Sequence, residues 1–160
     1  GWWPLSIDFV PSNTLKSQWD VYEEAAKAAG RSSNRDDWRI CRNVYIADTT
    51  EEARDFAFNG VMARDFVTYF RLVMDKLGFL DLMKTDPEMP DDDIDLEYMV
   101  DNIWIVGSRE DVIEKIRQLY RDVGGFGTLL AYSHEWEPRD QWIKSMTILA
   151  EEVIPSLSDL

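Results

Sequence analysis

Apolar residues recur along the chain at two spacings, one typical of strands and the other typical of helices. Dense apolar runs at residues 5–10, 38–47 and 126–132 predict three principal strands. Residues 103–106 form a shorter apolar run directly before a helix. Between these runs, apolar positions three and four residues apart predict amphipathic helices that each turn one face toward a core. The chain therefore reads as strand, helix, strand, helix, insertion, helix, strand, helix.

The predicted helices carry capping signals at their ends. Asn13 is placed to cap the first helix. Thr49 and Glu52 have the spacing of a capping box, and the helix that they open is expected to run through residue 70 to about residue 76. Gly107 and Ser108 open a later helix, where small residues can hold an anion. Because no second glycine completes a phosphate-loop pattern, we favour Ser108 as a simple helix cap.

Strands that alternate with helices predict an α/β protein with a parallel sheet and right-handed crossovers. A complete TIM (β/α)8 barrel takes about 250 residues. A chain of 160 residues with three principal strands is too short for one. We therefore expect residues 1–160 to be a portion of such a barrel, incomplete on its own.

Residues 80–102 interrupt the regular alternation. Pro87, Pro90 and three consecutive aspartates, residues 91–93, predict an exposed, mobile insertion rather than part of the core. Its position between a late strand and the helix that leads to the last strand suggests a lid over the active-site end. The aspartates lack the glycine and glutamate spacing of a calcium loop, so we predict no metal site there.

Composition and charge narrow the choice of partners. The net charge of −14 repels phosphate backbones and anionic lipids, which argues against nucleic-acid and membrane partners. No apolar run approaches the ~20 residues of a membrane helix. Cys41 is the single cysteine and cannot form an internal disulfide, so we expect a reducing, cytoplasmic location. Trp2 and Trp3 stand before anything that could cover them, which suggests a larger parent or a docked partner.

Three segments carry a resemblance to a known family. Residues 38–54 read WRICRNVYIADTTEEAR, residues 105–116 read IVGSREDVIEKI before GGFGTLL at 124–130, and residues 151–157 read EEVIPSL. In this order the segments resemble the C-terminal part of bacterial luciferase-like, flavin-dependent monooxygenases. Within the family, the segments are most similar in sequence to the limonene- and alkane-oxidising type. The resemblance places the chain in the C-terminal part of the family's TIM barrel.

The resemblance also implies an activity. Its enzymes use reduced FMN, which a separate flavin reductase supplies, and O2 to oxygenate a small organic substrate. Alone, this chain is expected to be inactive and to bind FMN weakly or not at all. Two alternatives stay open: a non-catalytic half-barrel module for binding or assembly, and an F420-dependent oxidoreductase.

Barrel chemistry takes place at the carboxyl ends of strands, which makes Ser6, Cys41 and Asn43 candidates to face substrate or flavin. Strand alternation puts Cys41 and Asn43 on one face and Arg42 on the face toward the helices. The sulfonate-oxidising branch has basic residues at the positions of Cys41 and Asn43. This departure argues against an anionic sulfonate substrate. A small packing residue is the simpler interpretation of Cys41.

Tyr132 and His134 close the last strand and are the candidate catalytic residues. Tyr132 matches an active-site tyrosine of the sulfonate branch, where a phenol could donate a hydrogen bond during oxygen transfer. His134, the single histidine, could act as an acid or base but lacks partners at metal-ligand spacing. The simpler interpretations are a strand-end tyrosine with a hydrated hydroxyl and a loop histidine with local hydrogen bonds.

An incomplete barrel leaves strand edges and the inner face of the sheet uncovered. We therefore expect the chain to form a homo-oligomer or to dock on the rest of a barrel. The residues expected in that contact are Trp2, Trp3, Cys41 and Tyr45.

Overall fold

One long strand forms the centre of a parallel sheet. In the computed structural model, which describes residues 2–160, this strand has neighbours on both edges. The first and third strands lie on the same edge of the central strand. The first pairs with the start of the central strand and the third with its end, where the Ala47 N–H donates to the carbonyl of Gly107. The fourth strand occupies the other edge. The strands are β1 (Leu5–Ser6), β2 (Arg39–Ile46), β3 (Ile105–Gly107) and β4 (Thr128–Tyr132), with β2 at the centre.

Helices connect the strands and pack against the sheet. The α/β architecture with a parallel sheet is therefore confirmed, and among the described residues the sheet is open, not closed into a barrel. The helices are α1 (Ser12–Ala28), α2 (Thr50–Asn59), α3 (Val61–Asp65), α4 (Arg71–Leu77), α5 (Leu96–Asn102), α6 (Arg109–Val123) and α7 (Arg139–Ile148). The clearest buried apolar stripe is that of α6, which consists of Val112, Ile116, Leu119 and Val123.

The outer face of β2 lies in the hydrophobic core. Ile40 and Val44 are fully buried there, as the alternation of β2 predicts. Arg42 shares this face and is also buried, and its guanidinium donates to the carbonyl of Val10 at 2.9 Å. Burial lowers the pKa of Arg42 to about 10. The buried cation therefore fastens β2 to the turn between β1 and α1.

The inner face of the sheet remains largely bare. Leu130 and Tyr132 of β4 are register partners of Cys41 and Asn43, which places their side chains on that face. Leu130 and Tyr132 are exposed, and Cys41 is only partly buried. The prediction that Tyr45 also lies open on this face is wrong. Tyr45 is only 4% exposed, because Phe56 and Trp142 pack on its ring at centroid distances of 3.8 and 5.2 Å.

Two predicted helix boundaries differ from the observed ones. The helix that Thr49 caps does not run unbroken to residue 76, because Gly60 is extended and separates α2 from α3. A π-helical turn, Phe66–Phe70, then joins α3 to α4. Asn13 does not cap α1; the helix begins at Ser12, and the Asn13 amide donates instead to the carbonyl of Thr85. The amide therefore holds a loop 72 residues away rather than its own helix end.

The segment at residues 80–102 is not the loose insertion that its sequence predicts. It folds into two 3-10 turns, Leu80–Met83 and Asp91–Asp93, followed by α5. Apolar residues within it reach the core, and Lys84 pairs with Asp81 and Asp91 at 2.7 Å each. The aspartates thus bind a lysine of their own segment. The buried residues of the segment are Leu80, Met83, Ile94, Met99 and Val100.

Candidate active site

A cavity of about 300 Å³ lies at the carboxyl-end side of the sheet. Asn43 of β2, Tyr132 of β4 and Asp8, two residues after β1, line it from the strands. Most of the remaining wall is aromatic or apolar and comes from the π-helical turn, from α5 and from the residues that follow β1 and precede β3. These wall residues are Phe9, Phe66, Tyr69, Phe70, Met99 and Trp104, and the polar end is formed by Asp8, Asn43, Asp65, Tyr132 and His134.

A chain of hydrogen bonds crosses the polar end of the cavity. His134 Nδ1 lies 2.8 Å from Asp65 Oδ2, and His134 Nε2 lies 2.8 Å from Asn43 Oδ1. Asn43 Nδ2 donates to Asp8 Oδ2 at 2.7 Å. His134 is only 9% exposed, and Asn43 is buried. The imidazole is therefore fixed between two side chains that come from different parts of the chain.

Further charges surround this chain of hydrogen bonds. Arg64 contacts Asp65 at 2.9 Å and Glu135 at 3.0 Å. Burial alone would raise the pKa of Asp65, but hydrogen bonds from His134 and Arg64 outweigh burial and lower it. Asp65 consequently faces His134 as a carboxylate at neutral pH. The Asp65 carboxylate can only accept hydrogen bonds, so it directs the Nδ1–H of His134 toward itself.

The structure brings together three of the five predicted site residues. Asn43 and His134 are hydrogen-bonded to each other, and the Tyr132 ring meets the His134 ring edge-on at a centroid distance of 5.5 Å. Tyr132 is 48% exposed at the cavity mouth, and its hydroxyl has no hydrogen-bond partner within residues 2–160. The predicted residues Asn43, Tyr132 and His134 thus form one cluster, whereas their catalytic roles stay predictions.

The structure places Ser6 away from the cavity, outside its lining. It is the register partner of Ile40 and therefore points to the outer face, where it is buried against α1. Its hydroxyl accepts from Trp38 Nε1 at 3.0 Å and donates to Gln18 at 2.9 Å. Cys41 lies on the inner face but one strand repeat before Asn43, outside the cavity lining.

Two carboxylates of the site were missed from the sequence. Asp8 follows β1 at its carboxyl end, a position at which barrel enzymes place functional groups, so that signal was present. Asp65 lies in α3, 69 residues before His134, and no local pattern connects the two. Its contact depends on the break at Gly60, which sets the direction of α3.

The helix start at Ser108 behaves as a cap. Ser108 Oγ accepts from the Asp111 N–H, and the Asp111 carboxylate accepts in return from the Ser108 N–H, which confirms the capping interpretation.

Within residues 2–160, no three His, Cys, Asp or Glu side chains converge where a metal ion could bind. The helices of the same residues are too short or too polar to cross a bilayer.

A parallel α/β sheet with a polar-ended apolar cavity at the carboxyl-end side of its strands is the arrangement of barrel-type enzymes. The profile of the luciferase-like monooxygenase family matches residues 2–125. The chain belongs to this family, and the resemblance seen in its sequence is confirmed.

Similar proteins refine this placement. The chain is 34% identical to 3,6-diketocamphane 1,6-monooxygenase of Pseudomonas putida over 155 residues, which cover 96% of this chain and 41% of that protein. It is 27% identical to limonene 1,2-monooxygenase of Rhodococcus erythropolis over 142 residues, which cover 88% of this chain and 34% of that protein. The solved Pseudomonas putida 3,6-diketocamphane monooxygenase, a type II Baeyer-Villiger enzyme in complex with FMN, superposes with a TM-score of 0.85 over 96% of this chain and 42% of that chain, at 34% identity. The chain thus spans about two-fifths of the length of its first relatives.

Proposed function

We propose that this chain forms the C-terminal part, residues 1–160, of an FMN-dependent monooxygenase barrel and builds the substrate end of its active site. The observation that carries the proposal is the cavity with aromatic walls and one polar end, at the carboxyl-end side of β1, β2 and β4. The FMN-bound relative at a TM-score of 0.85 supports the same assignment. The bare inner face of β4 is consistent with further barrel strands packing there.

The lining of the cavity favours an uncharged organic substrate. Six aromatic or apolar residues form the wall, and the charged groups at the polar end include two carboxylates, Asp8 and Asp65. An anionic substrate would meet these carboxylates without a lysine or arginine among the lining residues. A compact ketone or cyclic hydrocarbon satisfies both ends, since a single oxygen can lie at the polar end while carbon fills the rest.

The same lining fits only part of FMN. Aromatic walls can pack against a flat ring system, but a phosphate is commonly bound by arginine or lysine, and neither is among the lining residues. The phosphate would therefore be held outside this cavity, by residues of a longer protein. Reduced FMN, delivered by a flavin reductase, would supply the activation of O2, and residues of this chain would position the substrate.

Within this assignment, four side chains have three distinct tasks. The exposed hydroxyl of Tyr132 is available to donate to a substrate oxygen. His134 lies behind it, fixed by Asp65 and Asn43, and sets the electrostatic potential at the polar end. Phe66 and Trp104, whose rings meet edge-on at 5.9 Å, keep water away from the apolar end.

The first experiment titrates FMN into the 160-residue chain and follows flavin fluorescence. We expect no saturable binding at micromolar concentrations. Stoichiometric binding by the chain alone would contradict the assignment of the phosphate site to residues outside it.

A second experiment restores the missing context. The chain replaces the matched region of 3,6-diketocamphane 1,6-monooxygenase, and FMN-dependent oxygenation of a cyclic ketone is measured with a flavin reductase present. We expect activity, and a loss of about 10²-fold or more in the Tyr132→Phe chimera if the phenol donates in the oxygen-transfer step. A folded chimera that binds FMN but oxygenates nothing would favour the non-catalytic module. Reaction with reduced F420 in place of FMN would favour the F420-dependent alternative.

A further inference from the structure

We propose that Asp8, Asn43 and Asp65 hold His134 as a doubly protonated imidazolium, so that a fixed cation lies among the carboxylates at the polar end of the cavity. The proposal deepens the proposed function and rests on it for its catalytic meaning. Asp8 and Asp65 are positioning residues in this scheme, since they act on substrate only through His134.

The argument starts from the amide of Asn43. An amide has one accepting end and one donating end, and a carboxylate can only accept. Asp8 Oδ2 lies 2.7 Å from the Asn43 side chain, so the NH2 group of Asn43 must face Asp8. The amide oxygen of Asn43 then faces His134 Nε2 at 2.8 Å. An oxygen lone pair at that distance requires a proton on Nε2.

The other ring nitrogen has the same requirement. His134 Nδ1 lies 2.8 Å from the carboxylate of Asp65, which accepts only. A neutral imidazole carries one N–H and would leave one of these two contacts as a repulsion between lone pairs. Both contacts are satisfied together when both nitrogens carry protons, which makes the ring a cation.

The surrounding charges support a cation at this position. Asp65 on α3, Asp8 after β1 and Glu135 next to His134 are acidic. Arg64 pairs with Asp65 and Glu135, and the buried Arg42 of β2 interacts electrostatically with Asp8. Asn43 from β2 and Tyr132 from β4 contribute no formal charge. Three carboxylates against two guanidinium groups leave one excess negative charge, which an imidazolium offsets.

The consequence concerns the role of His134 in the reaction. Both of its N–H groups are engaged, so it neither accepts a proton from substrate nor donates one directly. Its positive charge instead stabilises negative charge that develops on a substrate oxygen beside Tyr132. The centroids of the Tyr132 and His134 rings are 5.5 Å apart. This arrangement suits a substrate whose carbonyl oxygen becomes an oxyanion when a nucleophile adds to the carbonyl carbon.

The test uses the single histidine of the chain. In a uniformly ¹⁵N-labelled sample at neutral pH, a long-range ¹H–¹⁵N correlation spectrum reports both ring nitrogens of His134 without ambiguity. We expect both to resonate together in the region of protonated nitrogens. One nitrogen far downfield, the signature of a neutral tautomer, would overturn the proposal. Neither flavin nor turnover is involved, so this result stands apart from the tests of monooxygenase activity.

An amide in place of the Asp8 carboxylate tests the positioning role. In Asp8→Asn, the new amide can donate to Asn43, whose own amide can then turn and donate to His134 Nε2. We expect the ring to become neutral at the same pH, with one nitrogen shifted downfield. Asp20→Asn removes one exposed carboxylate from α1 and controls for net charge; its histidine signals should match those of the unmodified chain. Unchanged histidine signals in a folded Asp8→Asn variant would show that Asp8 does not set the charge of the ring.

Discussion

The two faces of the sheet differ more than any other two regions of the molecule. On the outer face, Ile40, Val44 and Arg42 of β2 are buried in the core. On the inner face, Leu130 and Tyr132 of β4 remain exposed, although β4 pairs with β2 over five residues. The outer face of β2 is thus buried in the core, whereas β4 leaves its inner face uncovered and exposes Ala131 on its outer face as well.

This contrast shows which face of the sheet the chain covers with its own helices and which face needs another surface to cover it. The outer face of β2 is buried against the helices of the chain itself, so its stability should be a property of the chain alone. The inner face buries little beyond Asn43 and Tyr45, so its apolar groups gain stability only when something covers them. Substitutions on the two faces should therefore have different kinds of effect.

The largest effect is expected on the free energy of unfolding, when one aliphatic residue from each face is replaced by alanine. Ile40→Ala empties a fully buried position and should lower the free energy of unfolding by about 2–5 kcal/mol. Leu130→Ala shortens a side chain that is already 39% exposed and should cost less than about 1 kcal/mol. Urea unfolding at submicromolar concentration measures both. Equal losses at the two positions would mean that the inner face is covered within the monomer.

Much of the outer layer was predictable from the sequence, because its signals are local. The density of β-branched residues in β2, the cap at Thr49 and the capping box at Ser108 act within a few residues. The course of the 80–102 segment was not predictable. Its prolines and aspartates suggest an exposed loop, whereas buried residues such as Ile94 and Met99 and the Lys84 pairs place it against the core. These contacts depend on tertiary structure, which a composition-based argument does not see.

The next effect concerns association through the inner face. We expect the chain at micromolar concentration to sediment as a species heavier than the monomer, because the exposed strand edge and apolar face of β4 can pair with a second copy. Leu130→Asp places a charge on that face and should weaken association by about tenfold or more. Leu82→Asp is a matched control, since Leu82 is similarly exposed at 42% but lies in the 80–102 segment. A monomer at all concentrations, or equal effects of both variants, would contradict this role of the inner face.

The candidate site was predictable only in part. Asn43, Tyr132 and His134 could be found because each lies in β2, at the end of β4 or just after it, where a barrel places its chemistry. The position of Ser6 outside the cavity was not predictable, because the apolar run at residues 5–10 predicts a longer strand than the two-residue β1 that forms. Asp65 reaches His134 through a helix break and a π-helical turn, and neither has a reliable sequence signal.

A smaller effect tests the electrostatics of the outer layer. Hydrogen bonds from Thr50 and Ser108 lower the pKa of Asp111, although burial opposes them. A carboxyl whose pKa is lower in the folded chain stabilises it at neutral pH and loses that contribution as the pH falls through its folded pKa. Asp111→Ala should therefore cost about 1 kcal/mol at neutral pH and progressively less in acid.

Thermal unfolding over a pH series measures this difference. The control is Asp122→Ala, at the opposite end of α6. There a carboxylate faces the negative end of the helix dipole, so its removal should leave the free energy of unfolding unchanged or slightly increased. A cost for Asp111→Ala that stays constant down to strongly acidic pH would show that the carboxylate contributes shape rather than charge.

The smallest effect uses Cys41 to report on the inner face. Burial, with a contribution from Asp8, raises the pKa of the Cys41 thiol, which keeps the reactive thiolate scarce at neutral pH. Its reaction with a maleimide should be a few-fold slower than in the urea-unfolded chain, and faster at higher pH. If copies associate through the inner face, dilution should make Cys41 of the unmodified chain react faster. The Leu130→Asp variant should react at the rate of the diluted, unmodified chain, whatever its concentration. A rate independent of both dilution and Leu130→Asp would place the association surface away from Cys41, on the β4 edge or at Trp2 and Trp3 instead.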